Sequence, residues 1–198
     1  MNEALFILLA YLLGAVPFGL LIARSRGVDL RNAGSGNIGA TNVLRVMGKP
    51  WGIATFILDA LKGYIPAYFF PRWLGLPPDM GLLFGTAAIL GHTFPVYLKF
   101  KGGKGVATGA GMLLGIAPVA VGFGVLAWIL CMVLFRYVSL ASMVAAVTVC
   151  VAVWVRGEKS IWACGALTIL ALLIIWLHRS NIRRLLQGTE NRFGKQRG

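Results

Sequence analysis

Apolar residues run through this chain in long unbroken stretches, not in the alternation or one-sided stripe of a half-buried element. Residues 4–23, 80–98, 137–155 and 160–178 each contain no Lys, Arg, Asp or Glu. Each is close to the ~20 apolar residues that carry a helix across a hydrocarbon core about 30 Å thick. A further stretch, roughly 51–70, has the same character with Asp59 and Lys62 embedded in it. The stretch 105–135 is longer than one span needs, and Gly115, Pro118, Gly122 and Gly124 fall near its middle. That pattern predicts one kinked helix or a hairpin of two short ones.

Charge chooses between them. With a hairpin and an outside N-terminus, nearly all Lys and Arg collect on the cytoplasmic side, leaving Arg72, Arg156 and Lys159 outside. A single helix would divide the basic residues almost evenly, so the positive-inside rule selects the hairpin and about seven spans. Loops 24–50 and 99–105, the turn 136–142 and the tail 178–198 then share the cytoplasmic face. The expected fold is an all-α integral membrane protein with short interfacial helices on that face.

Composition agrees. The 198 residues are 58% hydrophobic and 13% charged, against about 45–50% and about 25% in soluble domains. The N-terminus lacks the basic leading region of a secretory signal. Cys131, Cys150 and Cys164 all lie in apolar runs and read as small buried hydrophobes, not a disulfide framework. Two histidines without a Cys/His cluster argue against a metal. The net charge of +13 suits anionic substrates and membrane lipids; nothing points to nucleic acid.

Candidate chemistry gathers in three polar segments. The first contains GSGNIG at residues 34–39, which fits G-x-G-x-x-G, with Asp59 about 20 residues on. A dinucleotide site would need a buried strand before the first glycine and a parallel sheet to hold it. Here a basic loop precedes the glycines and Asp59 lies inside a span, so that reading fails. What remains is a permissive loop rich in hydrogen-bonding groups. Ser35, Asn37, Thr41 and Asn42 offer donors, Arg45 offers a bidentate fork, and a short helix is expected to begin within residues 42–45. An ordinary polar connection is the competing reading.

The second segment, FKGGKGVATGAG, is not a Walker A loop, because Gly105 follows Lys104 where Ser or Thr belongs. Lysines in a glycine turn before a helix start nonetheless make an anion cradle. Plain membrane anchoring competes for Lys99 and Lys101, less so for Lys104. The third segment, HRSNIRRLLQGTENR, predicts a short interfacial helix on which His178 and Asn181 share a face. Arg183, Arg184, Lys195 and Arg197 read as contacts for anionic lipid. Glu190, nearly alone among basic residues, is expected in an ion pair that holds the loops together. Asp59 and Lys62 are expected to pair, and His92 reads as a hydrogen-bonded residue within the membrane.

These three segments, in this order and over nearly the whole chain, resemble the bacterial acyl-phosphate:glycerol-3-phosphate acyltransferases of the PlsY type. The resemblance implies a single membrane-embedded acyltransferase domain over residues 1–198, in the bacterial inner membrane. It implies transfer of a fatty acyl group from a long-chain acyl phosphate to the 1-hydroxyl of glycerol 3-phosphate, without acyl-CoA, acyl carrier protein, metal or cofactor. Functional coupling to the enzyme that makes acyl phosphate is a further expectation.

On that pattern Ser35, Lys104, His178 and Asn181 are expected to act catalytically. Asn37, Thr41, Asn42, Arg45, Gly102, Gly103, Gly105 and Ser142 join them in substrate binding. The proton acceptor stays open between His178, whose cationic neighbours favour the neutral imidazole, and a substrate phosphate oxygen. Ser35 as a covalent acyl carrier is a third option. From the residues alone, an organic-phosphate transporter or a lipid-recruiting anchor competes. A transporter would place its chemistry near the midplane in repeated halves, and no repeat is visible here.

Overall fold

The computed structural model describes residues 2–157 and 159–194. Among the described residues all regular structure is helical. The chain divides into two compact units, Met1–Ile116 and Ala117–Gly198.

The first unit holds α1 (Glu3–Ala15), α2 (Phe18–Arg24), α3 (Ala40–Met47), α4 (Lys49–Leu74), α5 (Gly81–Thr93) and α6 (Val106–Ile116). Pro17 lacks an N–H and interrupts the first span, so Val16 turns extended at ψ 117 before α2 resumes. Helix α4 is the hub and packs on α1, α2, α3, α5 and α6. Its buried positions, among them Gly52, Thr55, Asp59, Lys62, Gly63, Pro66 and Phe70, recur every three or four residues along one face. Large side chains such as Ile53, Phe56 and Ile57 are exposed instead. Small and polar residues thus face the helix contacts and bulky ones face outward, the arrangement that suits lipid as solvent. A Cβ at Gly63 would fall 2.0 Å from the Thr108 carbonyl, and one at Gly111 would fall 1.9 Å from that of Ala60. Helices α4 and α6 therefore meet backbone to backbone.

The second unit holds α7 (Pro118–Phe135), α8 (Val138–Arg156), α9 (Ile161–Leu177) and α10 (Arg179–Leu186). In this unit α8 packs against both α7 and α9. Thr168 ties α9 to α8: its hydroxyl accepts from the Trp154 indole at 3.0 Å and donates to the Cys164 carbonyl at 2.8 Å.

Among the described residues five helical segments are long and apolar enough to cross a membrane, and the pair α9–α10, bent by 54°, would make a sixth. The charge pattern led to an expectation of about seven; the eleven-residue α6 is too short to count as one. The protein is a multi-pass membrane protein. The stretch 105–135 is two helices, not one: Ala117, at φ −148 and ψ 60, separates α6 from Pro118 at the start of α7. The short helix expected from residues 42–45 begins earlier, at Ala40.

Candidate active site

Two glycine-rich loops and two helix starts meet in the first unit. The loop before α3 is pinned from below by Ile38, which is buried in a cluster with Leu20, Ala23, Leu30 and Val43. From within, it is organised by Asn42. The Asn42 carboxamide oxygen accepts the Ser35 N–H at 2.7 Å, and its nitrogen donates to the carbonyls of Leu30 and Ala33 at 3.2 and 3.0 Å. Asn42 was expected to offer a donor to substrate. It is instead 1% exposed, with its amide committed to one N–H and two carbonyls of the irregular loop. Asn37 likewise accepts the Gly39 N–H at 2.9 Å in a local turn.

That scaffold leaves Ser35 and Arg45 exposed and Thr41 half-buried in the first turn of α3. One Arg45 guanidinium nitrogen lies 3.4 Å from the Asn42 oxygen. Gly39 caps α3 without a side chain, so the helix's positive end is open to an anion.

The second loop is set by α5. The N–H groups of Gly102 and Gly103 donate to the carbonyls of Thr93 and His92, both at 3.0 Å. These glycines therefore shape the turn and spend their own donors on α5. Gly105, at φ +75, accepts from the Gly109 N–H at 2.7 Å and opens α6. Lys104, half-buried, stands beside that helix start. Arg31 donates to the Lys101 carbonyl at 2.9 Å and joins the two loops. Asp29 steadies Arg31 by accepting its N–H at 3.1 Å. Neither residue was singled out from the sequence; a solvent-facing Asp in a basic loop was the only signal.

The second unit carries the other candidates. His178 sits at the bend between α9 and α10, 3% exposed, with Nδ1 2.8 Å from the Ile174 carbonyl. A carbonyl can only accept, so Nδ1 carries the proton and Nε2 is the basic nitrogen of the neutral ring. Asn181, 6% exposed, donates to Glu190 Oε1 at 2.8 Å. The Ser139 hydroxyl donates to the same oxygen at 2.9 Å, and Arg184 Nε pairs with Oε2 at 2.7 Å. Glu190 thus ties the start of α8 to α10, and the Phe193 N–H donating to the Arg136 carbonyl at 2.8 Å closes the same junction. Arg184, read as a lipid contact, is held by this carboxylate; Lys195 and Arg197 lie outside the described residues. Ser142, expected in the turn, lies within α8, buried, and spends its hydroxyl proton on the Val138 carbonyl at 2.8 Å.

Burial pushes the Glu190 carboxyl up, but hydrogen bonds from Asn181, Arg184 and Ser139, with the Arg184 charge, outweigh it and hold it below its ordinary 4.5. A depressed folded-state value means stability that is present above the unfolded value and lost as pH falls through the folded one. Glu190→Gln is therefore expected to lower stability by about 1–2 kcal/mol at neutral pH. Thermal unfolding of both proteins in detergent should show the gap narrowing as pH falls below 4.5.

Among the described residues no three of His, Cys, Asp and Glu are grouped to hold a metal. What the loops present to an anion is two helix starts with cationic and hydroxyl side chains beside them.

Residues 4–188 match the family model described as glycerol-3-phosphate acyltransferase. The glycerol-3-phosphate acyltransferase of Aquifex aeolicus (strain VF5) is 46% identical over 192 residues, covering 96% of this chain and 100% of that protein. The crystal structure of PlsY, an integral membrane glycerol 3-phosphate acyltransferase, in its glycerol 3-phosphate form is similar at a TM-score of 0.91. It is 44% identical and covers 98% of this chain and 96% of that one. The lysophosphatidic acid form of PlsY is similar at 0.89 and 43% identity, with the same coverage.

Proposed function

Because the chain belongs to the glycerol-3-phosphate acyltransferase family, we propose that it moves a fatty acyl group from a long-chain acyl phosphate to the 1-hydroxyl of glycerol 3-phosphate. The products are lysophosphatidic acid and inorganic phosphate. Family membership sets aside the transporter and anchor readings. The observation that carries the substrate assignment is the pair of PlsY forms, one with glycerol 3-phosphate and one with lysophosphatidic acid, in a protein of nearly the same fold.

The chemistry suits the loops. Acyl phosphate is a mixed anhydride, so no enzyme nucleophile is needed. The 1-hydroxyl oxygen attacks the acyl carbon, the bond from that carbon to the bridging phosphate oxygen breaks, and phosphate leaves with the electron pair. Two phosphate-bearing substrates repel each other, and Lys104, Arg45 and the N-terminal ends of α3 and α6 offset that repulsion. Ser35 donates to the developing oxyanion or the leaving phosphate. His178 Nε2 and a substrate phosphate oxygen are the two groups able to take the hydroxyl proton, and Asn181, held by Glu190, orients the substrate. Ser35 does not need to carry the acyl group covalently. The reaction belongs on the cytoplasmic face of the bacterial inner membrane, where glycerol 3-phosphate is supplied.

Purified protein in detergent with chelator, given labelled glycerol 3-phosphate, is expected to form labelled lysophosphatidic acid from palmitoyl phosphate and none from palmitoyl-CoA. Product from palmitoyl-CoA alone would overturn the donor assignment.

A further inference from the structure

We propose that His92 is a positioning residue for acyl transfer. Its imidazole is the floor on which the glycine turn at residues 102–105 rests, and the buried Asp59–Lys62 pair lies against the far edge of that ring. The inference rests on the function proposed above.

Asp59 and Lys62 are each 2% exposed and His92 is 6% exposed. Ionisable groups within spanning helices are unfavourable unless they serve a purpose, and here they form a chain of contacts that ends at the turn. Lys62 Nζ lies 2.8 Å from Asp59 Oδ1 and donates at 2.9 Å to the Val16 carbonyl, which the Pro17 break leaves outside the helix ladder. The same oxygen, Asp59 Oδ1, lies 3.8 Å from His92 Nδ1. His92 Nδ1 makes no hydrogen bond, so this edge of the ring packs against the buried Asp59–Lys62 pair without being bonded to it.

The opposite edge of the ring meets the turn. A Cβ at Gly103 would lie 2.1 Å from His92 Nε2, 2.8 Å from Cε1 and 3.1 Å from Cδ2. All three nearest atoms belong to this one ring. Gly103 lies outside the positive-φ region, so the ring, and not the backbone conformation, demands glycine there. The His92 carbonyl also accepts the Gly103 N–H at 3.0 Å. Side chain and main chain of one residue thus fix the Cα that precedes Lys104, and no other side chain approaches Gly103 as closely.

The test is a double-mutant cycle in the full-length protein, reading kcat and KM for glycerol 3-phosphate with palmitoyl phosphate. Gly103→Ala is expected to lower kcat/KM about 100-fold, because the added methyl drives the turn off the ring. His92→Ala is expected to raise KM about tenfold with a smaller change in kcat, since the lysine is misplaced and not removed. In the double variant the methyl enters the space the imidazole vacates, so kcat/KM is expected to recover roughly tenfold over Gly103→Ala alone. If His92→Ala does not fold, His92→Asn, which also clears the methyl, completes the cycle. Effects that multiply without recovery, in a protein whose wild type is active, would overturn the positioning role and leave the function standing. A wild type that transfers no acyl group would overturn the function and the inference with it.

Discussion

Lys104→Ala is expected to lower kcat/KM for acyl transfer by about 100- to 1,000-fold, the loss seen when one donor aimed at developing charge is removed. Lys104 lies between glycines, one of them set against α5 and the other opening α6, so its ammonium can add to the potential of that helix start. Its task in the proposed reaction is electrostatic. Two phosphate groups held within a few ångströms repel by several kcal/mol at an effective dielectric near 20, and this cation is the one set in the turn itself. The residue is half-buried, so stability is measured alongside activity. Initial rates across a range of glycerol 3-phosphate, with thermal unfolding alongside, separate the two effects. A variant within about threefold of wild type would remove Lys104 from the chemistry. Lys104→Arg keeps the charge but replaces a compact ammonium by a planar fork, and partial recovery is the expected outcome.

The second large effect is expected from a residue that need not touch substrate. Asn42→Ala leaves the Ser35 N–H and the carbonyls of Leu30 and Ala33 without the partner that joins them. Each buried polar group left unmet costs about 1–3 kcal/mol, though water will reach part of this loop, so about 2–3 kcal/mol in total is a reasonable expectation. Activity should fall further than stability, because Ser35 and Arg45 both hang on the same carboxamide. Asn42→Asp is the sharper variant: it keeps the acceptor for Ser35 while placing an oxygen against two carbonyls. Both variants should show a lower melting temperature and a KM that rises with it. A fully stable Asn42→Ala protein would mean that the loop is held by Ile38 and its apolar neighbours alone.

The roles of these two residues differ in how they could be read. Lys104 stands out in the sequence because a lysine between glycines ahead of a helix suits an anion better than plain membrane anchoring. Asn42 looks like Asn37 or Ser35 in the same segment, and only the folded loop distinguishes a residue that faces outward from one spent on backbone groups. Ser142 repeats the case: its hydroxyl reads as a site group until the helix closes and the Val138 carbonyl takes its proton. Glu190 reads as an acid seeking a basic partner, and in the fold it meets Arg184. Which base, and that Asn181 and Ser139 share the carboxylate, depends on the chain returning from α10 to the start of α8.

By itself the sequence determined that this is a helical membrane protein, roughly where the apolar spans lie, and which three polar segments hold the candidate chemistry. Those properties are local. Transfer of an apolar run into lipid, a proline's missing N–H and a glycine's freedom act over a few residues wherever the chain goes. The tertiary structure alone decided which donors are already spent, that α4 and α6 touch backbone to backbone, that Arg31 ties one loop to the other, and that Gly103 rests on His92. Each of these is a contact between residues far apart in the chain. Its energy exists only after the entropy of bringing them together has been overcome, and no local pattern records the partner.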